Sequence, residues 1–298
     1  MTQGTENAAR LLLILSSERS GSTLTRVVLG EHERIVAPQE LFLMRYPDYE
    51  AWRRLKSVAI ESLIEYFELI GQPKDGAEID ATCRDFDVHQ VYRWMASFLA
   101  PDCHILDKTP AYSNDGETLR RSQPIDPFYV WLIRHPLGVI ESHVRLKMEK
   151  RHSGDLHGFA RRAKDGLTLA AAAATDNLTP MARQREAKWV VQQTIIREFL
   201  ATVPAGRQCR IYFEDLVRNP EATVRSLCDG IGIDVQPAML EACGARRKMN
   251  TDLGDPNFHK HDSIDAATAD QWRAAYSEAV LTLETRRLME ALGVVSDR

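Results

Sequence analysis

The residues with the most chemical content lie early in the chain. Ser16-Ser17-Glu18-Arg19-Ser20-Gly21-Ser22-Thr23 gathers five hydroxyl side chains, one glycine and one arginine. An apolar run over residues 11–15 leads into this segment, and helical spacing over 23–30 leads out of it. Strand, small-residue loop and helix in that order cradle an anion: backbone N–H groups and the positive helix end point at it, and hydroxyls add donors. A nucleoside-triphosphate loop would read GxxxxGK followed by Ser or Thr. That lysine is absent and there is a single glycine. The loop therefore suits phosphate-like groups and disfavours ATP or GTP hydrolysis. The same residues also fit an ordinary strand-to-helix turn with a capping serine.

Two further segments carry cations at strand ends. The apolar run 128–133 is followed by Arg134-His135-Pro136 and then by a helical stretch containing Ser142. An arginine at the C-terminal end of a strand stands where α/β sheets bind ligands. Proline is well tolerated at the helix start, and Ser142 lies about two turns along it. The guanidinium fork matches a phosphate dianion; the alternative is a surface arginine and an exposed helix serine. Lys108 follows the short run 104–106 in Asp107-Lys108-Thr109-Pro110. Pro110 ends the strand and exposes that turn, so Lys108 is either a site cation or a solvated lysine.

The elements that must position these residues follow from the hydrophobic pattern. Short, continuous apolar runs at 11–16, 104–106, 128–133 and 209–213 suit parallel strands covered on both faces. Between them, helical spacing covers 23–30, 51–69, 89–99, 137–150, 186–200 and 222–230. The alternation predicts an α/β fold with a central, mainly parallel sheet and helices on both faces. Residues 147–185 are rich in charge, Gly and Ala. They are a possible lid insertion over the site, or a solvated excursion. From Pro237 onward the chain reads as helical around one loop, 250–263.

The 298 residues fit one domain over 11–298 behind a ten-residue frayed leader, 1–10. The net charge of -4 shows no global basic excess for nucleic acid. The five cysteines, odd in number and never spaced CxxC, argue against a disulfide framework or a zinc cage and fit a reducing compartment. No apolar run approaches the ~20 residues of a membrane span. The N-terminus lacks a signal-peptide pattern. These features read together as a cytoplasmic protein without membrane or nucleic-acid partners.

The segment Glu18-Arg19-Ser20-Gly21-Ser22-Thr23-Leu24 resembles the 5′-phosphosulfate loop of sulfotransferases that use 3′-phosphoadenosine 5′-phosphosulfate (PAPS). Glu18 stands where that family usually has proline, and its carboxylate is expected to point away from the anion. The resemblance implies that Ser20, Gly21, Ser22 and Thr23 wrap the 5′-phosphate, with Arg19 at the family's basic position. Arg134-His135-Pro136 with Ser142 resembles the family's 3′-phosphate site. Tyr212-Phe213-Glu214-Asp215-Leu216 followed by Asn219-Pro220 resembles the segment whose tyrosine lies near the adenine. Arg247-Lys248, with Gly254-Asp255-Pro256-Asn257-Phe258, resembles the basic late loop that closes over the nucleotide, in a variant form. The resemblance spans residues 11–272. It implies a P-loop-like three-layer fold with a helical insertion over the site, PAPS as donor, and adenosine 3′,5′-bisphosphate as product.

Sulfuryl transfer requires an acceptor hydroxyl to lose a proton, attack sulfur in line and expel the bisphosphate. Fixed cationic donors and a base meet that need, and no metal is required. Arg19 is the first donor. Lys108 is the second, because its segment is similar to one in the arginine-loop branch of the family where the lysine approaches the sulfuryl group. For the base, Glu40 in Val36-Ala37-Pro38-Gln39-Glu40-Leu41 lies twenty-one residues beyond Arg19. This resembles the catalytic glutamate of tyrosylprotein sulfotransferases and a stretch in the sulfotransferase domains of polyketide synthases. The alternative is a structural glutamate paired with an arginine. His259 and His261 on the late loop are the rival bases, since a histidine serves in several branches. His32, His89 and His104 read as structural, while His152 and His157 lie in the insertion.

The local texture is most similar to the polyketide-synthase type. That resemblance implies an acceptor hydroxyl at the β-position of an acyl chain on an acyl carrier protein. It also implies a basic surface for the acidic carrier; Arg161, Arg162 and Lys164 are candidates. A freestanding enzyme for a small alcohol, phenol or glycan fits the nucleotide motifs equally. Outside this class stand a P-loop small-molecule kinase and a non-catalytic nucleotide-binding module.

Overall fold

The computed structural model describes residues 10–55, 60–152, 178–244 and 265–295. In chain order the elements are β1 (Arg10–Ser16), α1 (Ser22–Gly30), β2 (Ile35–Val36), α2 (Tyr49–Leu55), α3 (Ile60–Leu69), α4 (Gly76–Cys83), α5 (Val88–Ala96), β3 (His104–Asp107) and α6 (Gly116–Arg121). They continue with β4 (Phe128–Ile133), α7 (Pro136–His152), α8 (Pro180–Leu200), β5 (Gln208–Tyr212), α9 (Phe213–Arg218), α10 (Pro220–Ile231), α11 (Pro237–Gly244) and α12 (Leu283–Leu292). The five strands form one parallel sheet in the order β2-β3-β1-β4-β5.

The sheet is apolar on both faces because two layers of helices cover it. In β1, Leu11, Leu13 and Leu15 enter one core, and Leu12 and Ile14 enter the other. In β4 the same alternation sends Tyr129, Trp131 and Ile133 to the first core and Phe128, Val130 and Leu132 to the second. Residues of α3, α5, α7 and α8 pack on the first face; residues of α1, α9, α10 and α11 pack on the second. Continuous apolar strands are what burial on both faces demands. Among the described residues, no helix is long and apolar enough to cross a membrane.

The expected four strands are present, with a fifth, β2, only two residues long. The single helix expected over 51–69 is described instead as α2 and α3, with 56–59 outside the described residues. The charged stretch 147–185 begins as the last turns of α7 and ends as the first turns of α8. Thr179 caps α8 by accepting from the Ala182 N–H, and Pro180 occupies its first turn. Residues 153–177, the remainder of the expected lid, and the leader 1–9 lie outside the described residues; Arg10 already belongs to β1.

With β1 flanked by β3 on one side and β4 on the other, the chain order reverses at the middle of the sheet. Ligands of open α/β sheets bind beyond the strand C-termini at such a reversal. The three segments singled out for chemistry leave the sheet there: Ser16–Thr23 after β1, Lys108 after β3 and Arg134 after β4.

Candidate active site

β1 delivers buried Ser16 to the start of the anion loop. The loop is closed by a 2.6 Å hydrogen bond between the Ser17 and Ser20 hydroxyls. Arg19 has φ 66° and Gly21 has φ 87°, both in the left-handed region. Gly21 is the N-cap of α1 and offers no side-chain cap, and no acid lies in the first turn. The first N–H groups of α1 thus keep their capacity for an external acceptor. Glycine is required at 21 for space as well as conformation. A Cβ there would sit 2.3 Å from the Phe213 ring.

Two arginines converge on this loop. Arg19 Nε donates to Ser142 Oγ at 3.1 Å, which ties the loop to α7. Arg134 Nη1 donates to the Arg19 carbonyl at 2.9 Å, and Nη2 to the Thr268 carbonyl at 3.3 Å. The Arg134 guanidinium lies 4.1 Å over the Phe213 ring. Its Nε is buried, with no hydrogen-bond partner among the described residues. That nitrogen faces Gly138, where a Cβ would stand only 2.9 Å away. Burial, with Arg19 and Arg145 adding repulsion against the pull of Glu214 and Glu141, pushes Arg134 down to about 10. A buried cation with an unsatisfied donor beside a second cation and an uncapped helix start fits a polyanion. The residues present therefore suit an anionic ligand of phosphate type.

Neighbouring residues hold Arg134 in place. Trp189 Nε1 on α8 donates to the Arg134 carbonyl at 3.1 Å. The His135 N–H donates to Glu214, and the His135 ring stacks 4.3 Å from Trp272 and contacts Glu278 at 2.9 Å.

On the other side of β1, Lys108 and Glu40 form a close pair, Nζ to Oε1 at 2.6 Å. Lys108 is almost fully buried, whereas the Glu40 side chain is 29% exposed. Burial pushes the Lys108 amine below its ordinary pKa, and Glu40 opposes that push. Arg26 braces the segment before Glu40 by donating to the Ala37 carbonyl at 2.7 Å and to Pro38 at 3.3 Å.

Glu18 turns to α7 and α8. Its carboxylate meets Lys188 at 2.6 Å, with Arg185 and His143 each at 3.8 Å. Burial would raise its pKa, but the hydrogen bond and charge of Lys188, helped by His143 and Arg185, hold it below the ordinary value. His143 is pushed down to about 4 by burial and the neighbouring cations.

Arg19, Ser20, Gly21, Ser22, Thr23, Arg134 and Ser142 thus come to one place, and Lys108 and Glu40 form a second. Two placements bear on the expectations. Glu40 pairs with Lys108; among the described residues it has no ion pair with Arg19. Tyr212, expected near the adenine rather than at the loop, ends β5. Its phenol donates to the Leu292 carbonyl at 2.7 Å, and the aromatic that reaches the loop is the next residue, Phe213. Arg247, Lys248, His259, His261, His157, Arg161, Arg162 and Lys164 lie outside the described residues, as does the side chain of His152. His32, His89 and His104 are structural as expected: His32 contacts Asp234, His89 bonds to the Arg121 carbonyl, and His104 is buried. Sequence reasoning missed Phe213, Trp189, Lys188 and Thr268. Only Phe213 had a local signal, its place beside Tyr212 at a strand end.

A model of the sulfotransferase family matches residues 12–237. Among solved structures, the sulfotransferase domain from the curacin biosynthetic pathway is 29% identical with a TM-score of 0.76, covering 96% of this chain and 98% of that one. The sulfotransferase domain from the Synechococcus PCC 7002 olefin synthase is 28% identical with a TM-score of 0.76, covering 98% of each. A comparison with curated proteins finds no match.

Two outcomes follow from the loop. Gly21→Ala forces a side chain onto Phe213 in a left-handed position and should lower stability by about 1–3 kcal/mol. Urea midpoints measure this, and a variant as stable as the parent would show that the ring does not bound the loop. Because the Glu18 pKa is depressed on folding, its contribution is present above the ordinary carboxylate range and lost as pH falls through the folded value. Glu18→Gln should therefore be less stable than the parent at neutral pH and equal to it in acid. Stability curves that run parallel across that range would rule out the pairing with Lys188.

Proposed function

The chain belongs to the sulfotransferase family, and on that premise we propose that it moves the sulfuryl group of PAPS to the β-hydroxyl of an acyl chain on an acyl carrier protein. The donor reading is carried by one observation: buried Arg134, with an unpartnered Nε, fixed against the backbone of Arg19. A single phosphate would be served by the loop alone. A second basic centre has a purpose when a second phosphate is present. The acceptor reading is supported by the likeness, over nearly the whole chain, to domains of the curacin pathway and an olefin synthase. It is also supported by the motif resemblance to polyketide-synthase sulfotransferases.

When bound, the donor supplies a sulfuryl group activated on a phosphate. The protein supplies the rest. Ser20, Gly21, Ser22 and Thr23 hold the 5′-phosphate through uncapped N–H groups and hydroxyls. Arg134 holds the 3′-phosphate, with Ser142 linking that site to Arg19. Arg19 and Lys108 offset the negative charge that grows as the sulfur–oxygen bond breaks, the main requirement of this chemistry. Glu40 takes the acceptor proton. Oε1 is held by Lys108, and among the described residues no hydrogen bond engages Oε2. Tyr212, Arg247 and Lys248 remain proposed nucleotide contacts, the last two on the late loop. His259 and His261 remain the rival bases.

The donor site is tested with adenosine 3′,5′-bisphosphate and ADP. Arg134→Ala should weaken the bisphosphate by roughly 10- to 150-fold, the loss of one charge-assisted contact, and leave ADP nearly unchanged. Equal loss for both ligands in calorimetry would remove Arg134 from the 3′-phosphate. The chemistry is tested in single turnover with a β-hydroxyacyl carrier protein. Glu40→Gln should slow transfer by ~10²–10⁴ and Lys108→Ala by ~10²–10³, both with bisphosphate affinity retained. Fast transfer by Glu40→Gln would hand the proton to a histidine. Transfer to a free alcohol but not to the carrier-bound chain would overturn the acceptor.

A further inference from the structure

Beneath Lys108 lies a buried polar set that the transfer chemistry does not use. Asp107, the last residue of β3, is 0% exposed. Its Oδ2 accepts from the Tyr92 hydroxyl at 2.5 Å and from the Tyr112 hydroxyl at 2.7 Å. Its Oδ1 accepts from Thr109 Oγ1 at 2.8 Å. Each hydroxyl commits its one proton to the carboxylate and keeps lone pairs for accepting. Two of them accept from the backbone of another segment. The Phe42 N–H donates to Thr109 Oγ1 and the Met44 N–H to the Tyr112 hydroxyl, both at 3.3 Å.

The segment received in this way is the one that carries Glu40. It needs holding, because Phe42 has φ 58°, a left-handed conformation that a phenylalanine adopts only under constraint. On its carbonyl side Trp52 Nε1 donates to Leu41 at 2.7 Å, Ser62 Oγ to Glu40 at 3.2 Å and Arg121 Nη1 to Met44 at 2.6 Å. Lys108 sits between Asp107 and Thr109, so its own backbone is fixed on both sides by the same carboxylate. The two members of the Lys108–Glu40 pair are therefore attached to one rigid block.

We propose that Asp107, Thr109 and Tyr112 are positioning residues for sulfuryl transfer: through shared hydroxyls they set the register of the Glu40 segment against the Lys108 turn. The inference rests on the reading of Lys108 and Glu40 as members of the reacting group. A buried carboxylate is costly wherever it is placed. Burial raises the Asp107 pKa, and its three hydroxyl donors oppose that rise. An apolar side chain would fill the space at lower cost but could not orient hydroxyls toward the Phe42 and Met44 amides. A misplacement of about 1 Å in a reacting group can cost roughly 100-fold in rate, which makes this register worth specifying.

Thr109→Val keeps the shape and deletes the hydroxyl; Thr109→Ser restores it. Transfer from PAPS to a β-hydroxyacyl carrier protein is measured in single turnover per bisphosphate-binding site, counted by calorimetry. This counting removes any unfolded fraction. Thr109→Val should slow transfer by about 10- to 100-fold and leave the bisphosphate Kd within about twofold, because the anion loop is attached elsewhere. Thr109→Ser should recover most of the rate. In a Lys108→Ala background Thr109→Val should add little further loss, since a residue acting through the pair has nothing left to position. Should Thr109→Val fail to fold, Tyr112→Phe is read the same way through the Met44 amide. Parent-like transfer by binding-competent Thr109→Val, or its full loss repeated in the Lys108→Ala background, overturns the positioning role alone. Undiminished transfer by Lys108→Ala itself overturns the reading beneath it, and the inference falls with it.

Discussion

Arg134 is a cation with no ion pair among the described residues, buried at the end of the central strand pair and bonded to the carbonyl of Arg19. This contact asks a great deal of the surrounding structure. β1 and β4 must be neighbours, so that the residue after one strand meets the loop after the other; their register pairs Ser16 with Leu132. Gly138 must lack a side chain where the guanidinium lies against α7. Phe213 must present its face to the cation while its edge closes on Gly21. A buried guanidinium stays charged at neutral pH even when pushed to about 10. Its desolvation is thus incompletely compensated among the described residues, and the proposed anionic ligand would complete it. On the proposed reading, the same imbalance that lowers stability would raise affinity for phosphate.

The second cation is arranged the opposite way. Lys108 is as deeply buried as Arg134 but already has its counter-ion, Glu40, at 2.6 Å. A closed pair binds a passing anion weakly, because the ligand must compete with the carboxylate. The pair is suited to a change that occurs during reaction. In the reaction proposed above, Glu40 loses its charge on accepting a proton, which frees the Lys108 charge for the oxygens on which negative charge grows. Proton acceptance and electrostatic stabilisation would then be coupled through one hydrogen bond. On that proposal one centre serves binding, while the other is kept paired until the chemistry starts.

The parts legible in the sequence were those whose cause is local. β1 and β4 are continuous apolar runs, and burial on both faces leaves that trace. The anion loop is legible because a sharp turn into a helix start needs glycine and small hydroxyl residues in consecutive positions. β2 left no trace, since two residues carry no period. The start of α8 was hidden in a charged stretch, although Thr179 and Pro180 are a helix-start signal. That Phe213 rather than Tyr212 reaches the loop is a matter of phase. Successive residues of a strand face opposite sides of the sheet. Tyr212, the last residue of β5, packs with the first core, while Phe213, the first residue of α9, falls on the second and reaches the loop. Lys188, Trp189 and Thr268 meet the site through tertiary packing from far along the chain, and no spacing in the sequence records it.

Glu18 shows how a residue that opposes the site's chemistry is accommodated. A carboxylate next to an anion loop repels the ligand by roughly 1–4 kcal/mol at short range, depending on the local dielectric. Proline at that position, the usual choice in the resembling loops, would stiffen the turn without this repulsion. Here the carboxylate is drawn off by Lys188 and Arg185 on α8 and by His143 on α7. Two permanent cations against one anion leave the rim of the loop positive. The contact also stiffens the turn by another route, because the residue before left-handed Arg19 is anchored to two helices at once. The restraint that proline would provide within the backbone is here provided by ion pairs across the fold. Such a restraint depends on pH and salt, as a ring closure would not.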